Sequence, residues 1–137
     1  EAELQRQVYA LAESGRSVTA ALLNECKGRI LQSFWGDTVE IDDGARMTWM
    51  RQPHYYMGLY PYTYSVGLVA STAMALKVQQ EGQPAVQRWL DVLKAGGTRP
   101  PLDLLQMAGI HMTSPQPIHD AVTHVGRLVD QLEQSFG

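Results

Sequence analysis

At 137 residues, with 45% hydrophobic and 18% charged residues, the chain is expected to form a single domain over residues 1–137. Its net charge is −3 and its 11 Lys and Arg residues are scattered, which argues against a nucleic-acid partner. No apolar run approaches the roughly 20 residues of a membrane span, so no membrane partner is expected either.

The chain opens with two predicted helices, in "EAELQRQVYALAESG" and "SVTAALLNECKGRILQSFWG". Apolar residues recur at helical spacing in both, Gly15 and Gly36 are placed to end them, and Thr19 is placed to cap the second. Because the chain begins with Glu1 rather than Met and enters helical sequence at once, we expect it to be a piece of a longer polypeptide. The single cysteine, Cys26, lies on the apolar stripe; it is interpreted as a buried packing residue and favours a reducing, cytoplasmic location.

A polar connector, "DTVEIDDG", and a short predicted helix, "ARMTWMRQ", lead to the most unusual segment. This segment, "HYYMGLYPYTYSVG" at residues 54–67, holds five of the six tyrosines of the chain. An extended backbone would place Tyr60, Tyr62 and Tyr64 on one side. A helix that starts at Pro61 would instead point Tyr62 and Tyr64 in different directions, and would leave His54 on the loop before it. The second arrangement is favoured.

The rest of the chain predicts helices in "SVGLVASTAMALKVQQEG", in "AVQRWLDVLKAGG" with Pro84 at its start, in "LDLLQMAG", and after "TSPQP". The last helix carries an apolar stripe that is expected to face inward, formed by Ile118, Val122, Val125, Leu128, Val129 and Leu132. No convincing strand and no internal repeat is found. The predicted fold class is all-α, a multi-helix bundle.

Common catalytic motifs are missing from the sequence. The four histidines are His54, His111, His119 and His124, and no pair has the four-residue spacing of a zinc-binding helix. No H-E-x-x-H, no pair of cysteines, no G-x-S-x-G and no P-loop lysine is present. We therefore expect this chain alone to bind no catalytic metal.

The histidine and the phenols remain as candidates for chemistry. A Tyr hydroxyl is protonated at neutral pH and can donate a hydrogen bond to a developing oxyanion, and a His N–H can do the same. The group would then form half of an acyl-transfer site, with stabilising donors and no attacking group. Taken without other knowledge, the residues favour a structural aromatic cluster over this interpretation.

Three stretches resemble the oligoendopeptidase F family, zinc metallopeptidases related to thimet oligopeptidase. "QPHYYMGLYPYTYSVG" is similar to that family's "IPHFYxxPFYVYxYATG". "LDVLKAGGTRPPLDLLQMAGIHMTSPQPI" is similar to "FLKAGGSxxPLELLKxAGVDMTSPxPI", and the first 37 residues resemble "FExxIHxLxExGxxLTAExLNExYxxLxxxYYGD". The resemblance covers essentially the whole chain and places it as the C-terminal segment of a larger helical zincin peptidase. Leu59, Pro61 and Gly58 depart from the family pattern, so the resemblance does not select which tyrosine reaches the substrate carbonyl.

The resemblance implies a function for the full-length protein, namely a zinc metalloendopeptidase that hydrolyses short peptides. The zinc ligands of the family lie upstream of this region. By the same resemblance, His54 and Tyr64, with Tyr60 or Tyr62, would be the catalytic hydrogen-bond donors. Tyr56 would bind substrate, and Gly96 and Gly97 would belong to a mobile loop along the channel.

Two alternatives follow for this chain. It is either a part of such a peptidase, inactive on its own, or a non-catalytic helical module that keeps a peptide groove or has only a structural role. The partners expected are short peptides and the missing N-terminal part of the same polypeptide. An isolated fragment would also expose apolar surface, through which it is expected to be prone to form a homodimer.

Overall fold

A computed structural model describes all of residues 1–137, and the prediction of an all-α fold is confirmed. Two short 3-10 turns, Thr48–Arg51 and Pro53–Tyr56, join helices three and four. The structure contains no strands. The seven helices are α1 (Ala2–Glu13), α2 (Ala20–Trp35), α3 (Asp43–Arg46), α4 (Tyr62–Glu81), α5 (Gln83–Ala95), α6 (Pro101–Met107) and α7 (Gln116–Phe136).

The helix ends follow the local sequence signals. The Thr19 side chain accepts a hydrogen bond from the Leu22 N–H at 3.3 Å, as predicted for the cap of α2. Asp42 caps α3 in the same way, accepting from the Ala45 N–H at 2.7 Å. Beyond α6 the chain turns at Gly109, whose φ of 77° lies in the region that glycine adopts without strain. These residues therefore set where the helices begin and end.

The chain divides into two compact units, Glu1–Ser65 and Val66–Gly137, and α4 begins in the first and continues into the second. The single domain expected from the sequence stays a prediction. In the first unit the buried apolar residues are Leu4 and Cys26, so Cys26 packs as expected. In the second unit, one buried cluster joins residues of α4, α5 and the α6 end: Met74, Ala85, Val92, Ala108 and Ile110.

The apolar stripe of α7 lies on the surface. Each of its six residues is between 48% and 69% exposed, and the helix buries only Pro117 and Ala121. The prediction that the stripe faces inward is therefore wrong for this chain. The helical period was read correctly, but none of the other elements of the chain covers that face.

Candidate functional site

The segment that carries His54 is fixed to the first unit by side-chain hydrogen bonds. The buried Gln5 amide on α1 donates to the backbone carbonyl of Tyr55 at 3.3 Å. The Trp49 indole N–H donates to Asn24 Oδ1 on α2 at 2.7 Å. Because these two contacts come from different helices, they hold the 3-10 turns on both sides of residue 52 in place.

A reversal of the chain brings Tyr60 back over His54. Gly58 and Leu59 have φ values of 31° and 51°, and this left-handed pair turns the backbone before α4 begins at Tyr62. The predicted helix start at Pro61 is thus one residue early, and Tyr60 caps the helix through its carbonyl, which accepts from the Thr63 N–H at 3.0 Å. The favoured arrangement of the segment, a loop followed by a helix, is present.

Three of the predicted site residues form one aromatic group. The His54 and Tyr60 rings stack at 5.6 Å with an interplanar angle of 13°. Tyr64 meets both rings edge-on, at 5.8 Å from His54 and 5.5 Å from Tyr60. Such stacked and edge-to-face pairs restrict the rings to one arrangement. We refer to His54, Tyr60 and Tyr64 as the aromatic triad.

The polar contact inside the aromatic triad is between Tyr64 Oη and His54 Nε2, at 3.3 Å. This distance is at the long end for a hydrogen bond, and which atom donates depends on the His54 tautomer. His54 Nδ1 is buried and has no partner within the chain. The Nε2 contact is therefore the polar interaction of the imidazole within this chain, beside its ring contacts with Tyr60 and Tyr64.

Tyr64 keeps its proton to higher pH than an ordinary phenol. The neighbouring Tyr60 hydroxyl, and then desolvation, raise the pKa of Tyr64 above its usual value of 10.0. The Tyr64 side chain is 59% exposed, so this protonated hydroxyl is accessible from outside. At neutral pH the Tyr64 hydroxyl is a hydrogen-bond donor.

An open cleft of about 390 Å³ lies beside His54 and Tyr64. Its remaining walls are formed by Glu1, Ala2, Gln52, Pro61 and Ser65. The Glu1 carboxylate is held by Lys27 Nζ at 2.8 Å, and Lys27 is itself only 3% exposed. The two polar ring groups therefore face a space that a ligand can enter.

The other predicted site residues lie outside the aromatic triad. Tyr62 starts α4 two residues before Tyr64, which separates their directions by about 160° on a helix. Tyr56 is 75% exposed and borders a different, apolar cleft of about 260 Å³ with Tyr55 and Trp49. Gly96 and Gly97 follow α5 in the second unit, where a Cβ at either position would have no atom within 4 Å.

Two residues that support the site, Gln5 and Lys27, were not identified from the sequence. Both are polar residues that are buried, at 4% and 3% exposure. Gln5 is adjacent to Leu4 and three residues from Val8 on the apolar side of α1, which is the signal that could have identified it. Its partner, the Tyr55 carbonyl, lies 50 residues away, so the contact itself had no local signal.

The residues of this chain do not fit a zinc ion. No three His, Cys, Asp or Glu side chains are grouped so that they could hold a metal.

None of the helices combines the length and apolarity that crossing a membrane requires.

Comparison with known proteins connects the chain to a family of peptidases. The model of "Peptidase family M3" matches residues 1–124. The chain is 35% identical to "Oligopeptidase PepF" of Bacillus subtilis over 133 residues, which are 97% of this chain and 20% of that protein. It is 27% identical to the chromosomal oligoendopeptidase F of Lactococcus lactis, over 97% of this chain and 22% of that protein.

The chain also shares its fold with part of a solved oligoendopeptidase structure. The crystal structure of oligoendopeptidase-F from Enterococcus faecium superposes with a TM-score of 0.89 and 28% identity, covering 99% of this chain and 26% of that one. The chain thus spans about a fifth to a quarter of the length of these proteins. The resemblance found in the sequence is confirmed.

Proposed function

The chain belongs to peptidase family M3, and on that premise we propose that it is part of a zinc metalloendopeptidase that hydrolyses short peptides. To this enzyme it contributes hydrogen-bond donors for the transition state and part of the wall of the substrate channel. The observation that carries the proposal is the contact between His54 Nε2 and Tyr64 Oη at the edge of an open cleft. With His54 in the tautomer that carries the proton on Nε2, this opening would offer the Nε2–H and the Tyr64 O–H as two donors to a carbonyl oxygen that becomes an oxyanion.

Tyr64 and His54 are the donors in this proposal. Their mutual hydrogen bond is long, so little interaction energy is lost when either group turns to a substrate carbonyl. The Tyr64 phenol has a pKa above 10.0, so the hydroxyl is protonated at neutral pH, as an ordinary tyrosine is. A donor that strengthens its hydrogen bond as negative charge develops stabilises the transition state more than the bound substrate.

Tyr60 has a positioning role in this proposal, since its ring stacks on His54 and limits the rotation of the imidazole. Tyr62 points away from the aromatic triad and is left out of the donor set. Tyr56, with its exposed side chain, and the turn at Gly96 and Gly97 are proposed to contact the peptide elsewhere along the channel. The cytoplasm is proposed as the location because Cys26 is a free thiol.

Zinc is assigned to the rest of the parent polypeptide, because the residues of this chain provide no ligand set. When bound there, the ion would supply the activated water. The partners proposed for this chain are short peptides and that remaining polypeptide. The exposed stripe of α7 would pair with the same polypeptide in the parent protein, and with a second copy when the chain is alone.

The test compares the parent polypeptide with this chain alone, using one internally quenched peptide. We expect the parent to cleave the peptide internally, and the chain alone to leave it intact. A parent that binds the peptide without cleaving it would contradict the proposal and favour a non-catalytic binding module. Mass spectrometry of the products distinguishes internal cleavage from trimming at the ends.

A further inference from the structure

The second unit contains a cavity that the proposed function does not use. Its volume is about 530 Å³, which is within the range of small-molecule sites. It is bounded by α4, by the segment between α6 and α7, and by one face of α7. The positions that α7 contributes recur at helical spacing and so share a face: Gln116, Pro117, Asp120, Thr123, His124 and Arg127.

The charged lining of this cavity is mainly basic. Lys77 comes from α4, His111 from the segment before α7, and His124 and Arg127 from α7. Asp120 is the carboxylate in the lining, and it already accepts a hydrogen bond from the Gln116 side-chain amide at 2.8 Å. The cavity therefore has more cationic groups than anionic ones.

Three of the basic groups are available to a ligand. His111, His124 and Arg127 take part in none of the side-chain hydrogen bonds or ion pairs within the chain. Lys77 Nζ is partly neutralised by Glu81 Oε1 at 3.4 Å, and Glu81 is also paired with Arg88. The unpaired guanidinium is thus that of Arg127 on α7, and the His111 and His124 imidazoles lie in the same lining as N–H donors.

Neutral donors complete the lining. The Ser114 hydroxyl oxygen accepts from the Gln116 N–H at 3.2 Å, so its own hydrogen remains free to donate. The Thr123 hydroxyl and the Gln80 amide also face the cavity. Hydroxyl, amide and cationic N–H groups around one space are the complement of an anion with several acceptor oxygens.

We propose that this cavity binds a small molecule through an oxyanion group, either a phosphate or a carboxylate. Arg127 matches both groups with paired N–H donors, while His111 and His124 add donors from two other directions. The peptidase motif quoted above carries Asp where this chain carries His111. His111 is thus a position at which this chain departs from the motif.

The test is a titration of the full 137-residue chain, followed by the histidine ring signals in NMR. Sodium phosphate, sodium acetate and sodium chloride are the three probes, added at constant ionic strength and pH. We expect phosphate or acetate to shift the ring signals of His111 and His124 along a saturating curve. The ring signals of His119 should not show a saturating shift with any probe, and chloride should not produce one at any histidine. Saturation by phosphate alone assigns a phosphate ligand, and saturation by acetate assigns a carboxylate.

Two variants test whether the shifts come from the cavity. Arg127→Gln and His111→Gln change exposed side chains, so neither is expected to prevent folding. Each should weaken binding by about three- to tenfold, the effect of losing one charge-assisted hydrogen bond in a partly exposed site. Arg99→Gln, an exposed arginine outside the cavity, is the matched control and should bind as the wild type does. Absence of saturation, or equal affinity in all three variants, would overturn the proposal.

Discussion

Tyr64 Oη lies 3.3 Å from His54 Nε2, and the Tyr60 ring packs against both. This relationship joins the end of one 3-10 turn region to the first turn of α4 across a reversal of the backbone. It turns a run of tyrosines into a defined arrangement, in which one phenol has a polar partner, one stacks, and a third points elsewhere.

The titration of Tyr64 should depend on Tyr60. Because the Tyr60 side chain raises the pKa of Tyr64, Tyr60→Phe should lower the Tyr64 pKa toward 10.0. The wild-type phenol loses its proton, and its capacity to donate, only at a pH above that value. Carbon-13 NMR of ring-labelled tyrosine measures the midpoint directly. Tyr62→Phe is the control, and a Tyr64 midpoint that moves equally in both variants would contradict the account.

The Gln5 hydrogen bond should contribute to the stability of the first unit. Gln5→Leu keeps the side-chain size and removes the donor, which leaves the Tyr55 carbonyl unpaired. We expect the free energy of unfolding to fall by about 1–2 kcal/mol, the cost of an unsatisfied carbonyl in a partly buried place. Urea denaturation followed by tryptophan fluorescence gives the value.

The matched control for this change is Gln7→Leu on the same helix, whose amide donates to the exposed Glu3 carboxylate at 2.8 Å. It should alter the unfolding free energy by less than about 0.5 kcal/mol, as is usual for surface positions. If Gln7→Leu lowers the free energy of unfolding as much as Gln5→Leu does, the effect of Gln5→Leu comes from a weaker helix α1. It would then not come from the loss of the hydrogen bond to the Tyr55 carbonyl.

Leu59 is expected to make the folded chain less stable than a residue that favours a positive φ would. Its φ of 51° lies in the left-handed region, where a Cβ is crowded, and its side chain is 53% exposed. Leu59→Asn should raise the free energy of unfolding by about 0.5–1 kcal/mol, since asparagine adopts this conformation more readily. The comparison is with Leu59→Val, where β-branching should lower it. Equal stability of the two variants in urea denaturation would mean that the residue does not keep this backbone conformation.

Local signals in the sequence predicted the long helices and several of their ends. The short helix predicted in "ARMTWMRQ" is instead mainly the 3-10 turn Thr48–Arg51, and α3 begins inside the predicted polar connector. The Thr19 cap, the turn at Gly109 and the helix that follows Pro61 each depend on interactions within about four residues, which a single sequence contains. The reversal at Leu59 was not predictable, because leucine has no preference for a positive φ. The stacking of Tyr60 on His54 depends on that reversal, so it could not be predicted from the sequence either.

The exposed stripe of α7 was mispredicted for a different reason. Periodicity identifies which face of a helix is apolar, but not whether an element of the same chain covers it. The favoured helix start predicted that Tyr62 and Tyr64 point in different directions, but not which of the two lies beside His54. Only the position of His54 relative to Tyr64 separates the three phenols.

If Tyr64 donates a hydrogen bond in the transition state of peptide hydrolysis, the steady-state kinetics of Tyr64→Phe in the parent polypeptide will show the loss of that donor. Tyr62→Phe removes an equivalent hydroxyl two residues away, and circular dichroism confirms that both variants fold. We expect kcat of Tyr64→Phe to fall by about 10²- to 10³-fold with KM changed less than about threefold, because the lost interaction forms mainly in the transition state. Tyr62→Phe should remain within about threefold of the wild type in both constants. An unchanged kcat in Tyr64→Phe would contradict the account and leave the aromatic triad a structural role.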